Sequence, residues 1–276
     1  MNSALVGFLD CIQVQKDPDP GQYLGEDGLI YCEKCRTPVQ CRVRFEDKVR
    51  IMPCMCRCRQ EENEKEKKRI EEQEQMLNVR RLKSAGLQER YLRDWTFASA
   101  EDTPTIQMAK RYVEHWEQAR TENLGLLFWG TVGTGKSFLA ACIANALLEK
   151  GIPVLMTNFS KILNQMGAMY SEERYHYIAS FNQFPLLIVD DLGIERNTEY
   201  ALEQIYAVID ERYKARLPLI VTTNLTISQL RRPEDAAHAR IYSRVLEMCT
   251  PVYVPGIDRR EVIGREKQEK VKKALL

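Results

Sequence analysis

The sequence lacks any apolar run approaching the roughly 20 residues needed to cross a bilayer, and its first residues, MNSALVGFLDCIQ, lack the basic stretch that opens a secretory signal. These absences argue against the membrane-spanning and secreted classes and lead us to expect a cytoplasmic protein. Net charge is nearly absent too. The 40 Lys and Arg stand against 39 Asp and Glu, a formal +1, so any surface for a polyanion must come from local asymmetry. Two stretches supply it: residues 31–60 hold eight basic residues against three acids, and residues 259–273 hold seven against three. No internal repeat is visible, and the only low-complexity stretch is one charged segment. With 44% hydrophobic and 29% charged residues over 276 positions, the chain has the composition of a globular protein with room for one ordinary domain and a smaller attachment.

Cysteine is not scarce. Six of the nine crowd into residues 32–58, and in a reducing compartment such clustering argues for metal rather than disulfides. Residues 29–58 read LIYCEKCRTPVQCRVRFEDKVRIMPCMCRC, alternating between two cysteine clusters in the manner of a small zinc ribbon with a hairpin. Cys32 and Cys35 form a C-x-x-C knuckle, and after eighteen residues Cys54, Cys56 and Cys58 offer the second half. Four thiolates would close a loop too small for a hydrophobic core, so that Zn2+ itself serves as the core. The expected ligands are Cys32, Cys35, Cys54 and Cys56. Cys58 is the substitute, and Cys41 the least expected because it lies inside the strand QCRVRF. The isolated Cys11, Cys142 and Cys249 read as small core residues.

Ahead of this segment a short amphipathic pattern, Leu5, Phe8, Leu9 and Ile12, is ended by Asp17-Pro18-Asp19-Pro20. Behind it, residues 60–81 are almost all Glu, Lys, Gln and Arg and read as a solvated helical linker. The expected organisation is therefore a zinc-binding domain at 1–60, a charged linker at 61–84 and a larger domain at 85–276. Tyr91, Trp95 and Phe97 cover the edge of its core or, alternatively, approach a nucleobase.

The stretch LGLLFWGTVGTGKSFL carries the strongest chemical signal. An apolar strand runs into Gly130, Thr131, Val132, Gly133, Thr134, Gly135, Lys136 and Ser137, which fits G-x-x-x-x-G-K-[ST] at every fixed position. Backbone N–H groups of such a loop cradle phosphates, the lysine supplies a point charge, the serine hydroxyl reaches Mg2+, and the following helix points its positive end at the nucleotide. Beyond it, helices at 136–149, 159–169 and 198–214 alternate with strands at 153–156, 186–190 and 217–223. Unalternating Leu, Ile and Val strands between amphipathic helices predict an α/β fold with a parallel sheet covered on both faces. PLLIVDDLG ends an apolar strand in two acids, as a Walker B strand does: Asp190 to hold Mg2+, Asp191 to position or deprotonate water. LIVTTN ends a strand in Asn224, an amide placed to orient that water.

GTVGTGKS, LLIVDDLGIER, DERYKAR, VTTN and the following R-x-x-x-R together resemble the AAA+ ATPases of the DnaC, DnaI and IstB group over residues 85–262. The resemblance implies an AAA+ P-loop sheet flanked by helices, with Asn224 at the sensor 1 position. In ARIYSRV, Arg240 and Arg244 match the paired arginines, and Arg244 fits the arginine finger that completes a neighbouring subunit's ATP site. Arg260 fits the sensor 2 arginine, with Arg259 close enough to be confused with it. Asp191 stands where many members have Glu, which implies slow, switch-like hydrolysis. The N-terminal cysteine cluster resembles that of zinc-containing helicase loaders. The implied function is delivery of a hexameric replicative helicase onto single-stranded DNA by a self-associating ATPase, with residues 1–60 gripping the helicase and Lys161, Arg174 and Tyr175 as candidate DNA contacts. The alternatives are an IstB-like helper of a transposase and a non-catalytic nucleotide switch.

Overall fold

The computed structural model describes residues 17–45, 48–193 and 198–275. The amphipathic pattern at Leu5–Ile12, Cys11, and Glu195 and Arg196 of the LLIVDDLGIER stretch lie outside the described residues. The chain divides into two compact units, residues 1–75 and 76–276. The division falls inside the charged segment, which forms one helix, α1 (Arg57–Gly86). No helix among the described residues is long and apolar enough to cross a membrane.

The first unit holds two antiparallel pairs: β1 (Gln22–Leu24) with β2 (Ile30–Cys32), and β3 (Gln40–Phe45) with β4 (Lys48–Pro53). They are tied by the buried Gln40, whose Oε1 accepts from the Ile30 N–H at 3.2 Å. Besides two cysteines, Leu29 and Ile30 are its buried hydrophobics among the described residues. At about 1.5–3 kcal/mol per buried aliphatic side chain, that core cannot offset the ordering of the segment. The exposed α1 adds local pairs such as Arg57–Glu61 at 2.9 Å, worth only tenths of a kcal/mol.

The second unit is built on a five-stranded parallel sheet in the order β6-β7-β8-β5-β9. Its strands are β5 (Gly125–Trp129), β6 (Val154–Asn158), β7 (Leu186–Leu192), β8 (Leu219–Thr223) and β9 (Cys249–Tyr253). Because side chains alternate along a strand, each strand feeds two cores. Leu126, Phe128, Ile188 and Ile220 pack against α2 (Pro104–Glu114) and α3 (Lys136–Glu149). Leu127, Leu187, Val189 and Val221 face α4 (Phe159–Met166), α6 (Glu199–Ala215) and α7 (Ala236–Met248). The helices α5 (Ser171–Ser180) and α8 (Arg259–Leu275) and the short helices Arg90–Arg93, Trp116–Thr121 and Ile227–Arg231 also belong to the unit. The expected helix 159–169 breaks instead at Gly167, where α4 ends. The edge strand β9 was not anticipated: Pro251 is a poor strand residue except at an edge, which is where β9 lies.

Arg212 on α6 is 1% exposed. Its guanidinium donates to Phe184 O at 2.9 Å, Pro185 O at 2.8 Å and Pro218 O at 2.8 Å, with a longer bond to Phe181 O at 3.3 Å. Burial pushes its pKa down to about 9, and among the described residues no carboxylate pairs with it. It gathers the carbonyls just ahead of β7 and β8. Replacing Arg212 with Met should strand those carbonyls and cost about 3 kcal/mol, read as a lower urea midpoint. The nucleotide loop lies at the opposite, carboxyl end of the strands, so affinity in the folded fraction should stay unchanged.

Candidate nucleotide site and metal centre

All five strands end at one edge of the sheet, and the site opens there. From β5 the chain enters the Gly130–Gly135 loop and turns into α3 at Lys136. Gly130 and Gly133 are required by space and conformation. A Cβ on Gly130 would lie 2.7 Å from Val254 O, and one on Gly133, at φ +78°, would meet Asp258 Oδ1 at 1.9 Å. Thr134 Oγ1 donates to Thr131 O at 3.1 Å. Lys136 is buried, and its Nζ donates to Gly130 O at 3.1 Å and Thr131 O at 2.7 Å. Burial lowers its pKa, against the raising influence of Asp191 and Asp190.

A cavity of about 740 Å³ borders the loop from Val132 to Ser137. Asp191, Asn224 and Arg260 face it from the sheet edge and the start of α8, and Trp95 and Phe138 line it, their rings 5.8 Å apart. Of the three aromatics singled out, Trp95 thus reaches the cavity, while Phe97 packs on the core. β7 bulges between Val189 and Leu192, which puts Asp191 at φ +61°, a left-handed conformation costly for a non-glycine residue and frequent at functional sites. Burial, then the charge of Asp190, raises the Asp191 pKa, with Lys136 and Arg260 opposing. Arg260 is electrostatically coupled to both Lys136 and Asp191, whereas Arg259, which also lines the cavity, is paired with Glu101 at 2.8 Å.

Arg244 is not among the residues lining this cavity. On α7 it lies 2.7 Å from Asp210, its guanidinium 4.4 Å from the Tyr206 ring and 5.4 Å from Tyr213. It faces a separate hollow shared with Arg240 and Ser243. Of the candidate DNA contacts, Lys161 is bonded to Glu89. Arg174 reaches Tyr200 OH at 3.2 Å, and Tyr175 is exposed.

In the first unit the sulfurs of Cys32, Cys35, Cys56 and Cys58 all lie within 4.8 Å of one another. The Cys32–Cys58 and Cys56–Cys58 distances are 3.6 and 3.3 Å, near the ~3.8 Å edge of a tetrahedron with 2.3 Å metal–sulfur bonds. The fourth sulfur is thus that of Cys58, in place of the expected Cys54, whose Sγ turns to Pro38 O at 3.5 Å. C-x-C-x-C offers more candidates than ligands, and the path of the chain decides among them: the Cys54 N–H pairs with Val39 O, and the chain then coils into α1 at Arg57, which brings Cys58 to the knuckle. Cys41, opposite Met52 on the hairpin, is outside the cluster. A hydrogen bond with Thr37 at 3.1 Å is the first of the influences lowering the Cys35 thiol to about 5, which favours the thiolate a metal takes.

Thr222, Asp258 and Glu101 were not foreseen. Thr222 was visible in VTTN, but a hydroxyl at a buried strand end carries no sequence signal, and the two acids act across long sequence separations.

These features define a phosphate-loop nucleotide site on an AAA+ sheet, in a chain that also carries a four-cysteine cluster. Residues 56–261 match the family described as "IstB-like ATP binding protein", and the chain belongs to that family. It is 30% identical over 162 residues to the phage-like element PBSX protein XkdC of Bacillus subtilis, covering 54% of this chain and 57% of XkdC. It is 29% identical over 150 residues to the replicative helicase loader DnaI of the same organism, covering 49% and 47%. The chain spans about half the length of these curated relatives. In three dimensions it is similar to the crystal structure of DnaI, with a TM-score of 0.52 and 23% identity over 62% of this chain and 93% of that one; this likeness bears on the fold.

Proposed function

We propose that this protein is an ATP-hydrolysing loader that delivers a hexameric replicative helicase onto single-stranded DNA. The observation that carries the ATPase part is one cavity bordered by the phosphate loop, Asp191, Asn224 and Arg260. Ser137 and Asp190 would hold Mg2+, which neutralises phosphate charge. In this reading the loop N–H groups and Lys136 hold the phosphates, Asn224 orients the attacking water, and Asp191 takes its proton. Arg260 reads the terminal phosphate. Arg244, on another face, serves the site of a neighbouring subunit, which ties hydrolysis to self-association. Asp191 reaches less far than a glutamate, so turnover is slow.

The loader part is supported by the named relative DnaI and by the four-sulfur cluster, where Cys32, Cys35, Cys56 and Cys58 would hold Zn2+ in a helicase-gripping domain. Arg174 beside the exposed Tyr170 and Tyr175 offers cationic and stacking groups for single-stranded DNA. Cytoplasmic location follows from that role. Immobilised replicative helicase should capture the full chain, and deletion of residues 1–60 should abolish capture while ATP hydrolysis persists. Capture that survives the deletion contradicts the reading. The family description favours one competitor, an IstB-like transposase helper; its mark would be binding to duplex DNA and a transposase with none to helicase.

A further inference from the structure

We infer that Thr222 is the positioning residue for both acids of the nucleotide site, an assignment that rests on the ATPase reading above. Thr222 lies in β8, 0% exposed. In the β7–β8 register Val189 opposes Val221 and Leu192 opposes Thr223, so Asp190 and Asp191 together face the single residue Thr222. Its hydroxyl fills the gap that the bulge leaves in the ladder. The Asp191 N–H donates to Thr222 Oγ1 at 2.9 Å, and Thr222 Oγ1 donates to Asp190 Oδ1 at 2.5 Å.

The direction is fixed by chemistry. A backbone N–H can only donate, and a hydroxyl has one proton, which goes to the carboxylate. One oxygen of Asp190 is thereby held, which fixes the orientation of the carboxylate that would hold the cation. The same hydroxyl pins the backbone of Asp191 in the left-handed conformation that carries its side chain to the cavity. Thr223 anchors the far side of the bulge: its Oγ1 donates to Leu192 O at 2.7 Å and accepts from Leu225 N at 3.0 Å. Asn224 therefore follows directly on two residues bonded to the bulge.

The test uses the full chain with Thr222→Val, isosteric but without the hydroxyl, and Thr222→Ser, which restores it. ATP affinity with and without Mg2+ and the hydrolysis rate are measured. Thr222→Val should bind Mg2+-free ATP within about twofold of the parent. Its gain in affinity on adding Mg2+ and its kcat should each fall about 10- to 100-fold, the worth of one hydrogen bond to a charged group. Thr222→Ser should recover both. A Thr222→Val protein with the parent's Mg2+ gain and kcat overturns the inference, as does a serine variant no better than valine, which would assign the effect to methyl packing. If valine prevents folding, Thr222→Ala must show the same loss. A parent that neither gains affinity from Mg2+ nor hydrolyses ATP overturns the ATPase reading itself, and this inference with it.

Discussion

Replacing Lys136 with alanine abolishes ATP binding, lowering affinity by at least about 100-fold, the loss of a buried cation's hydrogen bonds to phosphate at about 1.5–3 kcal/mol each. Lys136 is one of the eight buried polar or charged side chains among the described residues, and it is held in the loop by two carbonyls until phosphate oxygens replace them. Its charge also offsets Asp190 and Asp191, so without it two acids meet the incoming anion with less compensation. The fold should survive, because the glycines and the Thr134–Thr131 bond still set the turn when the amine's two bonds to loop carbonyls are lost, and the four-cysteine cluster of the first unit should be unaffected. Isothermal titration with ATP checks the first point and a thermal melt the second. Normal binding by the alanine variant would mean that nucleotide sits elsewhere.

The second large effect separates two cysteines four residues apart. Cys58→Ser should lose bound zinc and leave the first unit open to protease, whereas Cys54→Ser should keep one zinc per chain. A structural zinc of this kind is worth about 10–16 kcal/mol, and the segment has little else, since Leu29 and Ile30 are its buried aliphatics among the described residues. Metal content by mass spectrometry together with limited proteolysis decides it. Zinc retained in Cys58→Ser and lost in Cys54→Ser would return the fourth place to Cys54.

That pair also marks where the sequence stopped being readable. The knuckle Cys32-x-x-Cys35 was legible because ligand spacing is local, but the choice among Cys54, Cys56 and Cys58 turned on where β4 ends and α1 begins, and boundaries are carried by tertiary contacts. The core strands of the sheet could be read because unbroken Leu, Ile and Val runs are buried on both faces. β9 could not, because CTPVY is half exposed at an edge. The phosphate loop and its acids follow from motif and context, while Thr222 becomes visible only once β7 and β8 are neighbours, and Asp258 only once the chain after β9 lies beside Gly133. Arg244 was readable as one of a pair of arginines. That it lies between Tyr206, Tyr213 and Asp210 is a property of the packing of α6 against α7.

Under the proposed function, ATP at the Gly130–Ser137 loop drives the loading of a replicative helicase, and counting helicase hexamers on circular single-stranded DNA with the full chain present puts this to the test. The account predicts that loading rises with the wild-type protein and ATP and stays at background with the Lys136→Ala variant. Loading indifferent to this protein, or equal with wild type and Lys136→Ala, would contradict it.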